Sequence, residues 1–279
     1  MSATSLVGAP FWQLLSNESI GLLVGSGPSA PSGLTVYRHV PVALALDVPM
    51  VRAARFLVER AIAKGGLKLT PKGFLNRADA SATFDSTDWP DFSNEGYRRI
   101  AKYIDEREVR PLHRARVTAM KAGLLVRRGP MLVATKAGAR LLDEGRAGAL
   151  LAALTEASFW KVPQETFDGV PFAPWPQDHV GVALWSLGLA ATHWQDTQVL
   201  TPLCTLPFAP YPGQRPDEAE RAFFSRVLYP ALCLGILELD DRRAGVKRFD
   251  AGRFIRKTPL FDMLLSFSVD WISPSGPLH

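Results

Sequence analysis

The chain has 279 residues, 47% apolar and 21% charged, with a formal net charge of +5. That is the composition of an ordinary globular protein with enough apolar material for a core, divided into one large domain or two to three small ones. MSATSLVGAPFWQLL has no basic leader, and GVALWSLGLAA at 181–191 is shorter than the about 20 residues that cross a bilayer, so a cytoplasmic protein with no membrane contact is expected.

Residues 1–46 read as irregular, and GLLVGSGPSAPSG lacks the Gly-Lys-Ser/Thr ending and the spacing of a phosphate loop. DVPMVRAARFLVERAIAKGG predicts the first helix, with Asp47 as N-cap and Pro49 in the first turn. Met50, Val51, Ala54, Leu57, Val58, Ala61 and Ile62 share its apolar face, and Gly65-Gly66 stops it. In LKLTPKGFL, a short strand leads to Thr70 as a cap and Pro71 as a first helical residue, and 76–92 reads mostly as loop. SNEGYRRIAKYIDE predicts a helix with the stripe Tyr97, Ile100, Ala101 and Ile104, with Arg98, Arg99 and Lys102 facing away.

EVRPLHRARVTAMKAG, 108–123, is the next helix; LLV and MLVAT then flank the tight link Arg127-Arg128-Gly129-Pro130 as a hairpin, and KAGARLLDEG and GALLAALTEASFW follow as helices. Four prolines mark 161–178 as a linker or crossing loop whose aromatics pack. The second half offers HVGVALWSLGLAATHW, DTQVLTPLCTL and PDEAERAFFSRVLYPALCLG as helices, the last opening on proline and acids as a helix start should. Cys204 and Cys233 are far apart among apolar neighbours, with no CxxC, and read as reduced core residues.

The charge is concentrated. Glu95–Glu144 holds 12 Lys/Arg and 6 Asp/Glu, a net of +6, so the rest of the chain sums to −1. Such a patch implies an anionic partner. His179–Val269, by contrast, carries 10 Lys/Arg and 9 Asp/Glu.

AGLLVRRGPMLVATKAGARLL and LGILELDDRRAGVKRFDAGRFI repeat one pattern: a helix end, Gly-Leu/Ile-Leu, a strand, a charged turn, a second strand, a capping residue and a short apolar helix. Phe249, followed by Asp250, stands at the capping position of the second copy, and LTPKG at 69–73 matches the tail of the first. This helix–helix–hairpin unit resembles the winged helix, a helix-turn-helix variant, over about 93–143 and again within 179–265, as in uncharacterised bacterial proteins built of tandem winged-helix units. The resemblance implies a mainly α fold with small β-hairpins (α+β), with an N-terminal region 1–160 carrying the basic unit, a linker 161–178 and a second unit 179–279.

On a helical wheel, Val109, Leu112, Ala115, Val117, Ala119 and Met120 take one side of 108–123 and Arg110, Arg114, Thr118 and Lys121 the other. An apolar anchor with a cationic outer face is what a groove-reading helix needs, since arginine contacts phosphates or guanine edges. The expected DNA-contact set is therefore Arg110, Arg114, Thr118, Lys121, Arg127 and Arg128, with Arg98, Arg99 and Lys102. His113 and Arg116 fall near the apolar sector, where a buried arginine needs a partner such as Glu106 or Glu108.

The five histidines lack metal-ligand spacing, and no GxSxG, HExxH or Walker pattern occurs, so neither an enzyme nor a cofactor or metal is expected. The sequence points to a transcriptional or mobile-element regulator on duplex DNA, with the aromatic-rich, neutral second half as a dimer or protein contact. The alternative is a scaffold subunit of a larger complex without direct DNA contact.

Overall fold

The computed structural model describes residues 9–24, 27, 33–170, 174–208, 215, 217–240 and 253–271. It is a mixture of helices and small antiparallel sheets. In chain order come α1 (Asn17–Val24), β1 (Leu34–Val36), α2 (Val42–Asp47), α3 (Pro49–Ala63), β2 (Leu67–Lys68), α4 (Arg77–Asp85), α5 (Asn94–Ile100), α6 (Arg110–Lys121), β3 (Leu125–Arg128), β4 (Met131–Ala134), α7 (Lys136–Arg140) and α8 (Ala147–Glu156). Then follow α9 (Val180–Ala190), β5 (Gln195–Asp196), α10 (Thr197–Cys204), α11 (Glu218–Phe223), α12 (Tyr229–Cys233), β6 (Leu237–Leu239), β7 (Phe254–Lys257), α13 (Pro259–Leu264) and β8 (Leu265–Phe267). Two compact units result: Tyr37–Val162 with Cys233–Gly235, and the remaining described residues.

The first unit is built on α3, α6 and α8. Met50, Ala54 and Leu57 of α3, Leu112 and Ala115 of α6, and Leu151 of α8 are fully buried. Each such leucine contributes up to about 1.5–3 kcal/mol relative to exposure. Pro49 opens α3 as expected, and Gly65 and Gly66 take positive φ to end it. The N-cap is Val48 rather than Asp47, which closes α2, and Ile62 lies at the exposed edge of the stripe. Strands β2, β4 and β3 form a sheet in that order, all antiparallel.

The second unit repeats this plan, with β5, β7 and β6 in the same order and again antiparallel. Its central helix α9 is buried on nearly every side, which its continuous apolar run requires. Gly181 allows the closest approach, since a Cβ there would stand 2.3 Å from the Leu23 carbonyl oxygen of α1. Strand β1 pairs with β8, so the N-terminal segment belongs to this unit.

Several expectations are corrected. Residues 1–46 hold α1, β1 and α2 instead of irregular chain, and 76–92 contains α4. Thr70 and Pro71 do not start a helix. Thr70 closes a turn: its N–H donates to the Phe74 carbonyl at 2.7 Å, its carbonyl accepts from Gly73 at 2.8 Å, and its hydroxyl accepts from Phe74 N–H at 3.1 Å. Helix α4 is capped by Asn76, whose side chain accepts from Asp79 N–H. Helix α5 stops at Ile100, which is 84% exposed, so the stripe through Ala101 and Ile104 does not form. In the second hairpin Phe249 and Asp250 lie outside the described residues, and the position before the closing helix α13 is taken by Thr258.

Residues 163–170 and 174–178 belong to the second unit. The fully buried Arg226 holds them: its Nε donates to Asp168 Oδ2 at 2.7 Å, and its Nη atoms donate to the carbonyls of Val170 and Trp175. A packed segment results, as its aromatics suggested, with charge and hydrogen bonds both satisfied.

Candidate nucleic-acid interface

The link after Arg128 is a two-residue turn. Gly129 takes φ of 58° at its first central position and Pro130 follows, so only glycine fits without strain. The Pro130 carbonyl accepts from Leu69 N–H at 2.7 Å, which ties the turn to the strand ahead of it. Alternation then sorts the sheet. Leu67 and Leu132 are buried partners, while Lys68 and Arg128 both pair across Met131 and are exposed. Two strand spacings separate those cations, roughly 10 Å. Arg127 lies on the edge strand, its Nε donating to the Gly129 carbonyl at 3.0 Å. Its Nη1 stands 3.1 Å from where a Cβ on Gly73 would sit, so the guanidinium lies over the turn that carries Lys72.

Lys68, Lys72, Arg127 and Arg128 are all exposed, and none has a carboxylate within ion-pair distance among the described residues. The hairpin end thus gathers like charges without counter-charge, an arrangement that favours an anion.

The helix does not behave as its wheel predicts. Arg114 is 3% exposed and Thr118 is fully buried, so neither lies on an outer cationic face. The physical reason is that α6 has neighbours all round: α3, α4, β3 and the turn 157–161 that extends α8. A wheel computed from one helix cannot register a cover supplied 40 residues later in the chain. Only Arg110 and Lys121, at its two ends, remain exposed.

Surface pairing removes more of the expected set. Arg98 forms an ion pair with Asp85 at 2.5 Å, and Arg99 pairs with Glu95. Lys102 is exposed and rests against the Tyr103 ring. The structure therefore sets Arg128 beside Lys68 on one sheet face and Arg127 by the Lys72 turn, and leaves Arg98, Arg99, Arg114 and Thr118 out. Sequence reading missed Lys68 and Lys72. Leu-Lys-Leu alternation at 67–69 was the available signal for Lys68, but nothing local tells which strand it pairs with.

Of the carboxylates open to Arg116 and His113, Glu106 is the one that pairs with both. Glu106 is fully buried, its Oε1 accepting from Arg116 Nε and lying against His113 Nδ1, both at 2.6 Å. Its Oε2 accepts from Leu75 N–H at 2.6 Å, so one carboxylate ties α6 to the turn before α4. On α4, Asp79 receives Arg60 Nε at 2.7 Å and Lys64 Nζ at 2.5 Å. Burial alone would raise the Asp79 carboxyl, but hydrogen bonds from Lys64, Arg60 and Asn76 outweigh it and hold it below its usual range.

The second hairpin differs. Glu238 and Arg256 pair across β6 and β7 at 2.5 Å, and Lys257 pairs with Asp262 at 2.8 Å. Asp241, Arg242 and Arg243 lie outside the described residues. Both cysteines are free and buried, and burial pushes the Cys204 thiol up. Among the described residues no group of three His, Cys, Asp or Glu could hold a metal, and no helix is long and apolar enough to cross a membrane.

Residues 46–147 match a family model described as the Y4jL N-terminal domain, a stretch that runs from the end of α2 through the basic hairpin to the start of α8. No curated protein and no solved structure matches the chain.

Proposed function

We propose that this protein binds duplex DNA through the basic hairpin of its first unit, and that both units are winged-helix modules, the first for nucleic acid and the second for a protein contact. The role that fits is a transcriptional or mobile-element regulator. The observation that carries the reading is the hairpin end itself, where Lys68 and Arg128 share one sheet face and Arg127 lies by the Lys72 turn, all exposed and without carboxylate partners among the described residues. Repetition of one strand order, β2-β4-β3 and β5-β7-β6, around a helix-led hairpin supports the tandem reading. Contact by exposed Arg and Lys with phosphates is independent of sequence, so the hairpin supplies affinity and position. Arg110 and Lys121 add to the cationic surface at the ends of α6.

Fluorescence anisotropy with a labelled duplex tests this. Four phosphate contacts predict a fall in affinity of roughly a hundredfold between about 50 and about 200 mM salt. The variant Lys68→Ala, Arg127→Ala, Arg128→Ala is expected to bind far more weakly, with a salt slope shallower by about 2.7. Absence of binding at low salt, or a variant that binds like the wild type, contradicts the proposal.

A scaffold role has one observation in its favour. Ile100 and Tyr103, three residues apart, are both exposed, and Arg77 stacks 4.5 Å from the centroid of the Tyr103 ring. A duplex that fails to bind at low salt would turn attention to that surface.

A further inference from the structure

The second unit contains a cleft of about 680 Å³, within the range of small-molecule sites. Part of its wall is aromatic. Trp175 and Phe208 have ring centroids 4.5 Å apart, inclined at 50°, and Trp12 contributes a third ring. The cleft is held in place by its own framework. Trp175 Nε1 donates to the Leu206 carbonyl at 2.9 Å, and the Trp175 carbonyl accepts from the buried Arg226, itself anchored on Asp168. Trp175 is 6% exposed, so it backs the cleft as a fixed support while Trp12 and Phe208 are the more accessible rings.

Charge selects the ligand. The described lining residues include two carboxylates, Asp217 and Glu220, and no Lys, Arg or His. Asp217 is already compensated by Arg215 at 3.2 Å and Arg221 at 3.9 Å. Glu220 is half-buried and accepts a hydrogen bond from Thr197 Oγ1 at 3.0 Å, with no cation in ion-pair range among the described residues. A partly desolvated carboxylate beside apolar walls is incomplete until a positive charge joins it. Aromatic faces attract the same charge, within about 6 Å of a ring centroid. A phosphate or carboxylate ligand would find no basic side chain among the described lining residues, and a neutral apolar one would leave Glu220 uncompensated.

We propose that this cleft binds a small organic cation with a bulky apolar body, its charge beside Glu220 and its body against Trp12 and Phe208. The site is separate from the basic hairpin, and the proposal does not depend on DNA binding.

Calorimetric titration of the full chain with tetraphenylphosphonium, and with tetraphenylborate of the same shape and opposite charge, tests it. The expected result is one phosphonium ion per chain, bound at least about tenfold tighter than the borate. This preference would run against the net charge of +5, which favours the anion elsewhere on the surface. Glu220→Gln keeps an acceptor for Thr197 and is expected to cost about tenfold in phosphonium affinity while sparing the borate. Phe208→Leu is expected to weaken the phosphonium too. Equal or tighter borate binding, no phosphonium binding in the millimolar range, or an unchanged Glu220→Gln variant would each overturn the proposal. The wild-type comparison of the two ions stands even if a variant fails to fold.

Discussion

The two hairpin units of this chain share a plan and differ in what they do with charge. In each, a helix ends on a glycine with positive φ, Gly123 at 75° and Gly235 at 69°. Each closes with the same bond from the residue just before its strand, Leu124 N–H to the Ala119 carbonyl and Ile236 N–H to the Ala231 carbonyl. Counting back from those glycines places Arg114 and Arg226 at the same position, nine residues upstream, and both are buried. An arginine at this point of the helix is thus a packing device in both units. The helices share only that arginine: α6 carries four Lys/Arg and no acid, whereas 218–233 balances two arginines with two glutamates. Among the described residues the sheets differ too: cations without counter-charge at Lys68, Arg127 and Arg128, against the cross-strand pair Glu238–Arg256. Helix and hairpin charge thus both separate the units.

The largest effect should come from the buried pairs. Arg226→Met leaves Asp168 unpaired and two carbonyls without donors, and is expected to cost about 3–5 kcal/mol in urea unfolding. Glu106→Gln in the first unit should fall in the same range, because Arg116 and His113 lose their shared partner. A loss below about 1 kcal/mol in either would mean that the buried charges are solvated by another route.

Next come the close approaches, one in each unit. A Cβ on Gly148 would stand 2.4 Å from the Arg38 carbonyl oxygen, and one on Gly181 2.3 Å from that of Leu23. Replacement by alanine at either should destabilise by about 1–3 kcal/mol. Gly21 meets nothing within 4 Å and sits inside α1, so Gly21→Ala is expected to stabilise by about 0.5–1 kcal/mol in the same urea unfolding measurement.

The Asp79 cluster predicts a pH dependence confined to the first unit. Its carboxyl is held below its ordinary value, so it stabilises the fold above the unfolded pKa of about 3.9 and loses that contribution as pH falls through the folded value. Melting temperatures measured from about pH 5 to about pH 2 should drop, and Asp79→Asn should flatten that limb. The smallest effect is expected in the second hairpin, where Arg256→Ala should leave duplex affinity within about twofold, the arginine being already paired.

Sequence patterns located α3, α6, the first hairpin, α8 and α9 because each carries its own periodicity or turn chemistry. They also foresaw a carboxylate partner for Arg116, with Glu106 and Glu108 as the nearby choices, since a buried guanidinium demands one, and Glu106 is the one that pairs. The losses have a common cause. Thr70-Pro71 has the signature of a helix start, yet Thr70 uses its hydroxyl and backbone in a turn closed by Gly73. Arg114 and Thr118 sit on the polar side of an isolated wheel, yet the 157–161 turn packs on α6. Lys68 acquires its neighbours only when β2 pairs with β4. Each miss is a tertiary contact overriding a local signal, and the candidate interface moved from the helix face to the hairpin for that reason.

Hydrogen–deuterium exchange of the full chain, with and without a saturating duplex at low salt, tests the central claim most directly. The account predicts slowed exchange at 66–74 and 125–136 and none at 237–239 or 254–257. Protection of the second hairpin, or no change at the first, would contradict it.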